Sequence, residues 1–267
     1  MRRIYKAAIA FISALLMSSS LAQAACPAGS SIKDWVQGGQ LCLAAATYGT
    51  DGAGTSPTLV VILHGDTSGG GPADYHFDFA RTIARPGLIA VALLRPGYSD
   101  RAGRSSEGQD FGRRDHYTAD YVSSAGAAIE ALKKQYRAGR VVLVGHSGGA
   151  AYAGVLLGSR PGIADDAILV SCPCNVQRWR EQRGGSAWTR SQSPSNFAVK
   201  IPVATRIVAI TGTNDDNTPP QLAEDYVAGL AKRGLNASFI AVSGAGHSFN
   251  RAMQEATASA LKEILAR

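Results

Sequence analysis

The stretch Val141-Val142-Leu143-Val144-Gly145-His146-Ser147-Gly148-Gly149 constrains the fold more than any other part of the 267-residue sequence. Four aliphatic residues in a row, without polar alternation and too few for a helix, suit a strand buried on both faces of a parallel sheet. The next segment, Ala150 to Leu157, is small and apolar and reads as a helix. A strand that becomes a helix within about four residues forces the turning residue into a strained backbone, and neighbours without side chains relieve the crowding. Gly145, Gly148 and Gly149 supply that relief, so Ser147 at the apex projects its hydroxyl at the positive end of the new helix. The other reading is a turn that only reverses the chain, and partners elsewhere in the sequence decide between the two.

Further apolar runs extend the pattern. Leu41 to Tyr48, Thr58 to Leu63, Leu88 to Leu94, Ala167 to Val170, Ile207 to Ile210 and Ser238 to Val242 read as strands. Ala73 to Ala84, Ala119 to Gln135, Pro220 to Arg233 and Ala252 to Arg267 read as helices. Strands alternating with helices at this spacing predict an α/β fold, with a mostly parallel central sheet and helices on both faces. Ligands in such folds sit at the carboxyl ends of the strands. Two long stretches read as irregular: Arg95 to Tyr117, and Asn175 to Lys200, the second a short lid-like insertion. Loops of that length in a compact domain are usually functional or disordered.

The first 24 residues stand apart. Arg2, Arg3 and Lys6 give a basic start, Ala7 to Met17 an apolar centre, and Ala22-Gln23-Ala24 a small-residue cleavage site, the plan of a secretory signal peptide. Ser18-Ser19-Ser20 ends the apolar run too early for a membrane span, so no stable membrane insertion is expected. The expectation is therefore an exported protein, periplasmic or secreted, folded as one domain over residues 25–267. Losing the leader removes three of the cations behind the formal charge of +7 and leaves a mildly basic chain. No aromatic-interleaved basic stripe is present, which excludes nucleic acid as an expected partner.

Export makes the four cysteines candidates for disulfides, with three possible pairings. Cys26 and Cys42 flank a glycine-rich, hairpin-like segment and are expected to close it. Cys172-Pro173-Cys174 can bridge only in a tight ring, and that pair is expected as the second bond. The alternative, a thiolate metal site, usually spaces its nearby ligands wider.

A serine hydroxyl is a poor nucleophile until a base takes its proton, and that base works best when a carboxylate orients it. Ile210-Thr211-Gly212-Thr213-Asn214-Asp215-Asp216 places an aspartate just beyond one strand, and Gly244-Ala245-Gly246-His247-Ser248 places a histidine just beyond the next. Singly, Asp215 reads equally as a helix cap and His247 as a surface residue. Upstream, Val60-Val61-Ile62-Leu63-His64-Gly65-Asp66 ends a buried strand in His-Gly. The backbone N–H groups of Asp66 and Gly148 are the candidates for binding a negative oxygen in a tetrahedral intermediate. His64 reads as a residue that shapes the loop and does not serve as the base.

These motifs, from LHGD through RPGY (Arg95 to Tyr98), GHSGG, Ser193-Pro194, GTNDDNTPP (Gly212 to Pro220) and GAGHSF (Gly244 to Phe249), run through most of the mature chain. Together they resemble α/β-hydrolases of the dienelactone-hydrolase and prolyl-oligopeptidase-like group. The resemblance implies Ser147 as nucleophile, His247 as general base and then acid, Asp215 as the orienting carboxylate, and no cofactor or metal. Two departures bear on substrate. The nucleophile is serine where dienelactone hydrolases typically use cysteine, and no propeller segment precedes the motifs in this sequence.

The expected activity is hydrolysis of a carboxylic ester through an acyl-enzyme on Ser147, with a small-molecule ester or short peptide as substrate. A small exopeptidase or amidase is the alternative, and an inert thiol or metal-binding module is the reading from another class. Arg101, Arg104, Arg113 and Arg114 either form a solvated loop face, the favoured reading, or meet an anionic substrate. His116 reads as a loop residue before a long helix. Trp179 and Trp188 either line an apolar pocket or pin the lid.

Overall fold

The computed structural model describes residues 26–266, so the leader lies outside the described residues. Eight strands form one sheet: β1 (Trp35–Gly38), β2 (Leu41–Tyr48), β3 (Thr58–Leu63), β4 (Leu88–Leu93), β5 (Arg140–His146), β6 (Asp166–Val170), β7 (Arg206–Gly212) and β8 (Ala237–Val242). Their spatial order is β1-β2-β4-β3-β5-β6-β7-β8. β1 and β2 make an antiparallel hairpin, β2 joins β4 antiparallel, and every later pair is parallel. Disulfides join Cys26 to Cys42 and Cys172 to Cys174.

The helices are α1 (Phe77–Ile83), α2 (Ala119–Tyr136), α3 (Gly148–Ser159), α4 (Val176–Gln182), α5 (Pro194–Phe197), α6 (Pro220–Lys232) and α7 (Arg251–Leu265). The aliphatic strands are explained by burial on both faces. Val60, Ile62, Val142 and Val144 meet Phe79 of α1 and Met253, Leu261 and Ile264 of α7 in one core layer. Their neighbours Leu59, Val61, Val141 and Leu143 meet Val122, Ile129, Leu156 and Leu230 of α2, α3 and α6 in the other. Side chains alternate across a strand, so two apolar faces require an unbroken apolar run. α7 buries only Met253, Thr257, Ala260, Leu261 and Ile264, one stripe at helical spacing, and its outer face is free to be polar.

Strand order places the site. From β3 the chain moves outward to β4, then crosses back over β3 to start β5 on its other side. This reversal opens a crevice between the carboxyl ends of β3 and β5. Leu63 lies opposite Gly145 in the parallel register, so the residues after β3 run alongside Ser147.

Two expected elements differ. The helix expected over Ala73 to Ala84 begins only at Phe77, because Asp74 to His76 form a turn that sends Tyr75 toward the end of β3. The stretch from Asn175 to Lys200 contains α4, whose first turn is capped by the Asn175 side chain accepting from Arg178 N–H.

Candidate active site

Ser147 sits between β5 and α3 with φ 53° and ψ −118°, a conformation that a residue with a side chain adopts only when its surroundings enforce it. Its N–H donates to Val170 O at 2.8 Å, and its carbonyl accepts from Ala150 and Ala151 N–H at 2.9 and 3.1 Å. Gly145 and Gly149 make the turn possible by close approach. A Cβ on Gly149 would strike the carbonyl of Leu63, and one on Gly145 would strike the backbone of Ala150.

The structure brings the three expected side chains together. His247 Nε2 lies 3.0 Å from Ser147 Oγ, and its Nδ1 lies 3.0 Å from each carboxylate oxygen of Asp215. Asp215 is buried, and Oδ1 also accepts from the N–H groups of Asn217 at 3.1 Å and Thr218 at 2.8 Å. Burial opposes its charge, but the bond and charge of His247, then Thr218 N–H, hold its carboxyl below the usual value. An ionised Asp215 fixes the His247 tautomer with hydrogen on Nδ1, leaving Nε2 to accept the serine proton. Asp216 is exposed.

Two residues that the sequence did not mark complete this arrangement. The Thr218 hydroxyl lies 2.9 Å from Asp215 Oδ2, 3.1 Å from the Ser171 carbonyl and 3.1 Å from His247 Nδ1. His146, beside Ser147, has Nε2 at 2.8 Å from the His247 carbonyl and Nδ1 at 2.6 Å from the Tyr75 hydroxyl, which accepts from Gly65 N–H. Burial, then the neighbouring His247, lowers its pKa to about 4. At neutral pH it is therefore uncharged and ties the β3 loop to the His247 loop. The available signal for Thr218 was its place in an Asn/Asp-rich turn just after Asp215, where an aspartate side chain commonly bonds the backbone N–H groups that follow it. The contacts of His146 cross 71 and 101 residues of sequence and left none.

Asp66 follows Gly65 against Ser147: a Cβ on Gly65 would lie 2.9 Å from Ser147 Cβ, and one on Gly148 would strike the Asp66 carboxylate. That carboxylate is clamped. It pairs with buried Arg95 and accepts from Tyr117 at 2.5 Å and Tyr98 at 3.2 Å. Burial opposes the Asp66 charge, and Arg95 and then His116 and Tyr117 overcome it, keeping the carboxyl low. Arg95 in turn lies over the rings of Tyr98 and Tyr152, at 4.8 and 4.9 Å. The clamp fixes the main chain of Asp66, while Gly148 N–H opens α3, where no intrahelical acceptor exists. His64 supports the same loop, with Nδ1–H donating to Gly65 O at 2.7 Å and Nε2 accepting from Arg95 N–H at 3.0 Å. His116 lies in the loop before α2, as expected, and is buried beside this cluster with Nε2 at 2.7 Å from the Tyr98 hydroxyl. Asp66→Ala leaves Arg95 buried without its countercharge and is expected to cost about 3–5 kcal/mol of stability, measured by denaturant unfolding. A loss below about 1 kcal/mol, the scale of a surface pair, would contradict the clamp.

Ser147 and His247 open into a cavity of about 600 Å³. The irregular stretches form its walls and are bonded together. The Asp115 carboxylate accepts from the N–H groups of Thr189, Arg190 and Ser191, and Tyr117 O accepts from Gln192 N–H. Trp179 and Trp188 both line the cavity and pin the wall: their rings pack edge-on at 5.1 Å, and Trp179 Nε1–H donates to Asn217 O at 2.7 Å.

A family model described as the prolyl oligopeptidase family matches residues 98–265, which include Ser147, Asp215 and His247. The chain belongs to the prolyl oligopeptidase family.

As a prolyl oligopeptidase-family member it shares its fold with solved α/β-hydrolases. Est1E of Butyrivibrio proteoclasticus, solved with ferulic acid bound, superposes with a TM-score of 0.66 at 15% identity, covering 87% of this chain and 97% of that one. The Pyrococcus furiosus esterase Pf2001 gives 0.66 at 16% identity, over 87% and 90%. The Pyrococcus horikoshii acylaminoacyl peptidase gives 0.68 at 15% identity, over 87% of this chain and 40% of that one. No curated protein matches the sequence. The prolyl oligopeptidase-family chain is a serine hydrolase of the α/β-hydrolase fold.

Proposed function

We propose that this protein is an exported carboxylic ester hydrolase that works through an acyl-enzyme on Ser147. The observation that carries the reading is the position of His247, 3.0 Å from Ser147 Oγ on one side and 3.0 Å from Asp215 on the other. As Ser147 Oγ attacks the acyl carbon, its proton passes to His247 Nε2, and the carbonyl oxygen becomes an oxyanion facing the N–H groups of Asp66 and Gly148. Each preorganised donor of this kind lowers the barrier by about 3 kcal/mol. Collapse of the intermediate breaks the bond to the alcohol oxygen, which takes the proton from His247. A water then gives its proton to His247 and adds to the acyl carbon. The second collapse releases the acid and returns the proton to Ser147.

Two observations favour an ester over a peptide with a free amino terminus. Such a peptide brings an ammonium group, which needs an available carboxylate. The cavity's two aspartates are committed, Asp66 to Arg95 and Asp115 to three backbone N–H groups. Two solved neighbours that this chain covers over nearly their whole length, Pf2001 at 90% and PE8 at 99%, are named as esterases. Nitrophenyl esters of increasing acyl length, run beside aminoacyl anilides on the purified protein, test the proposal. The esters are expected to turn over and the anilides to remain. Faster cleavage of an anilide would assign the protein to the amidases.

A further inference from the structure

The cavity above Ser147 is walled by arginines. Arg113 and Arg114 come from one irregular stretch, and Arg180, Arg183 and Arg190 from the other. Arg101 and Arg104, which lie in the same arginine-rich stretch of sequence, turn away to Asp74 and to Asp34 and Asp100.

Four of the five pocket arginines have no carboxylate partner among the described residues. Arg113 donates to the carbonyls of Thr67 and Gly71 and lies over Tyr98 at 5.0 Å. Arg180 donates to Ser186 O and lies over Trp179 and Trp188, at 5.5 and 5.1 Å. Arg190 stacks on Phe111 at 4.5 Å and alone among the five has a carboxylate partner, Asp115 at 3.5 Å. Elsewhere in the described chain Arg81, Arg140, Arg160, Arg178 and Arg251 each pair with an acid. Carbonyl oxygens and aromatic faces hold a guanidinium in place while leaving its charge uncancelled.

Clustered like charges around a cavity repel one another, and an anionic guest relieves that repulsion. Low-dielectric walls such as the two tryptophans strengthen the effect. We infer that the pocket selects esters that carry an oxyanion group of their own, a carboxylate or a phosphate, within reach of these arginines. The inference rests on the hydrolase reading above and names the substrate class of the same site.

Two matched pairs of esters test it. One is the 4-nitrophenyl monoester of glutaric acid beside its methyl ester, which puts the charge on the acyl side. The other is 3-acetoxybenzoate beside its methyl ester, which puts it on the alcohol side. In at least one pair the anionic member is expected to have a kcat/KM at least about tenfold higher, through charge-assisted bonds to arginine. The advantage should shrink as ionic strength rises from about 0.01 M to about 1 M. Arg180→Gln and Arg114→Gln are each expected to reduce the ratio, while Arg251→Gln, outside the cavity, leaves it unchanged. Glutarate and inorganic phosphate, titrated as inhibitors of the neutral ester, distinguish a carboxylate from a phosphate preference.

Labelling of Ser147 by a fluorophosphonate reads the hydrolase assignment separately. A labelled serine with ratios at or below one in both pairs, insensitive to salt, overturns the anion selection alone. An unlabelled serine with no turnover of any of the four esters overturns the hydrolase reading and this inference with it.

Discussion

Ser147→Ala is expected to lower turnover of an activated ester by on the order of 10⁶-fold, the scale seen when a serine protease loses its nucleophile. The hydroxyl makes one hydrogen bond, to His247 Nε2, while the backbone around it is held by Val170, Ala150 and Ala151. Alanine keeps every backbone bond, and at φ 53° it is as strained as serine. The unfolding midpoint should therefore barely move while activity disappears. The residual rate should still exceed that of the uncatalysed reaction by about 10³–10⁴, since the oxyanion donors and substrate binding survive. Turnover at the wild-type level would show that another group attacks the ester.

How much of this was legible in the sequence follows from how local each cause is. TLVVIL and VVLV could be read as doubly buried strands because the requirement lies in the strand itself, and the structure covers both faces of each. Ser147, Asp215 and His247 could be read because the chain delivers each just past a strand end, and adjacent parallel strands then bring them together without further instruction. The late start of α1 could not. Its first residues have helical composition, but Tyr75 is drawn out of the pattern by His146, 71 residues away. The arginines divide on the same ground. Nothing in the spacing separates Arg101 and Arg104, which fold back onto acids, from Arg113 and Arg114, which face the cavity. The difference is made by Asp34, Asp74 and Asp100 and by the bonds from Asp115 to the opposite wall. α4 was hidden for a milder reason: its capping Asn175 follows a Cys-Pro-Cys turn and its body is mostly polar, so no long apolar stripe announces it.

Asp215→Asn is expected to cost on the order of 10⁴-fold in turnover, and Asp216→Asn less than about tenfold. The two aspartates are adjacent in sequence, so charge and loop position are nearly the same for both. Orientation separates them. Asp215 is buried, with both oxygens 3.0 Å from His247 Nδ1 and Oδ1 capped by the N–H groups of Asn217 and Thr218; Asp216 is exposed. An amide at position 215 can turn its NH₂ toward Nδ1. The histidine would then accept there and carry its hydrogen on Nε2, where it can no longer take the proton from Ser147. The Thr218 hydroxyl, 3.1 Å from Nδ1, can still accept a hydrogen bond, but it carries no charge to stabilise an imidazolium. Its presence therefore softens the loss without abolishing it. The check is turnover of both variants on one activated ester at neutral pH, with Thr218→Val combined with Asp215→Asn as a third arm. Equal losses for the two aspartates would remove the orienting role from Asp215. A double variant no worse than Asp215→Asn would show that Thr218 serves the acid loop alone and not the histidine.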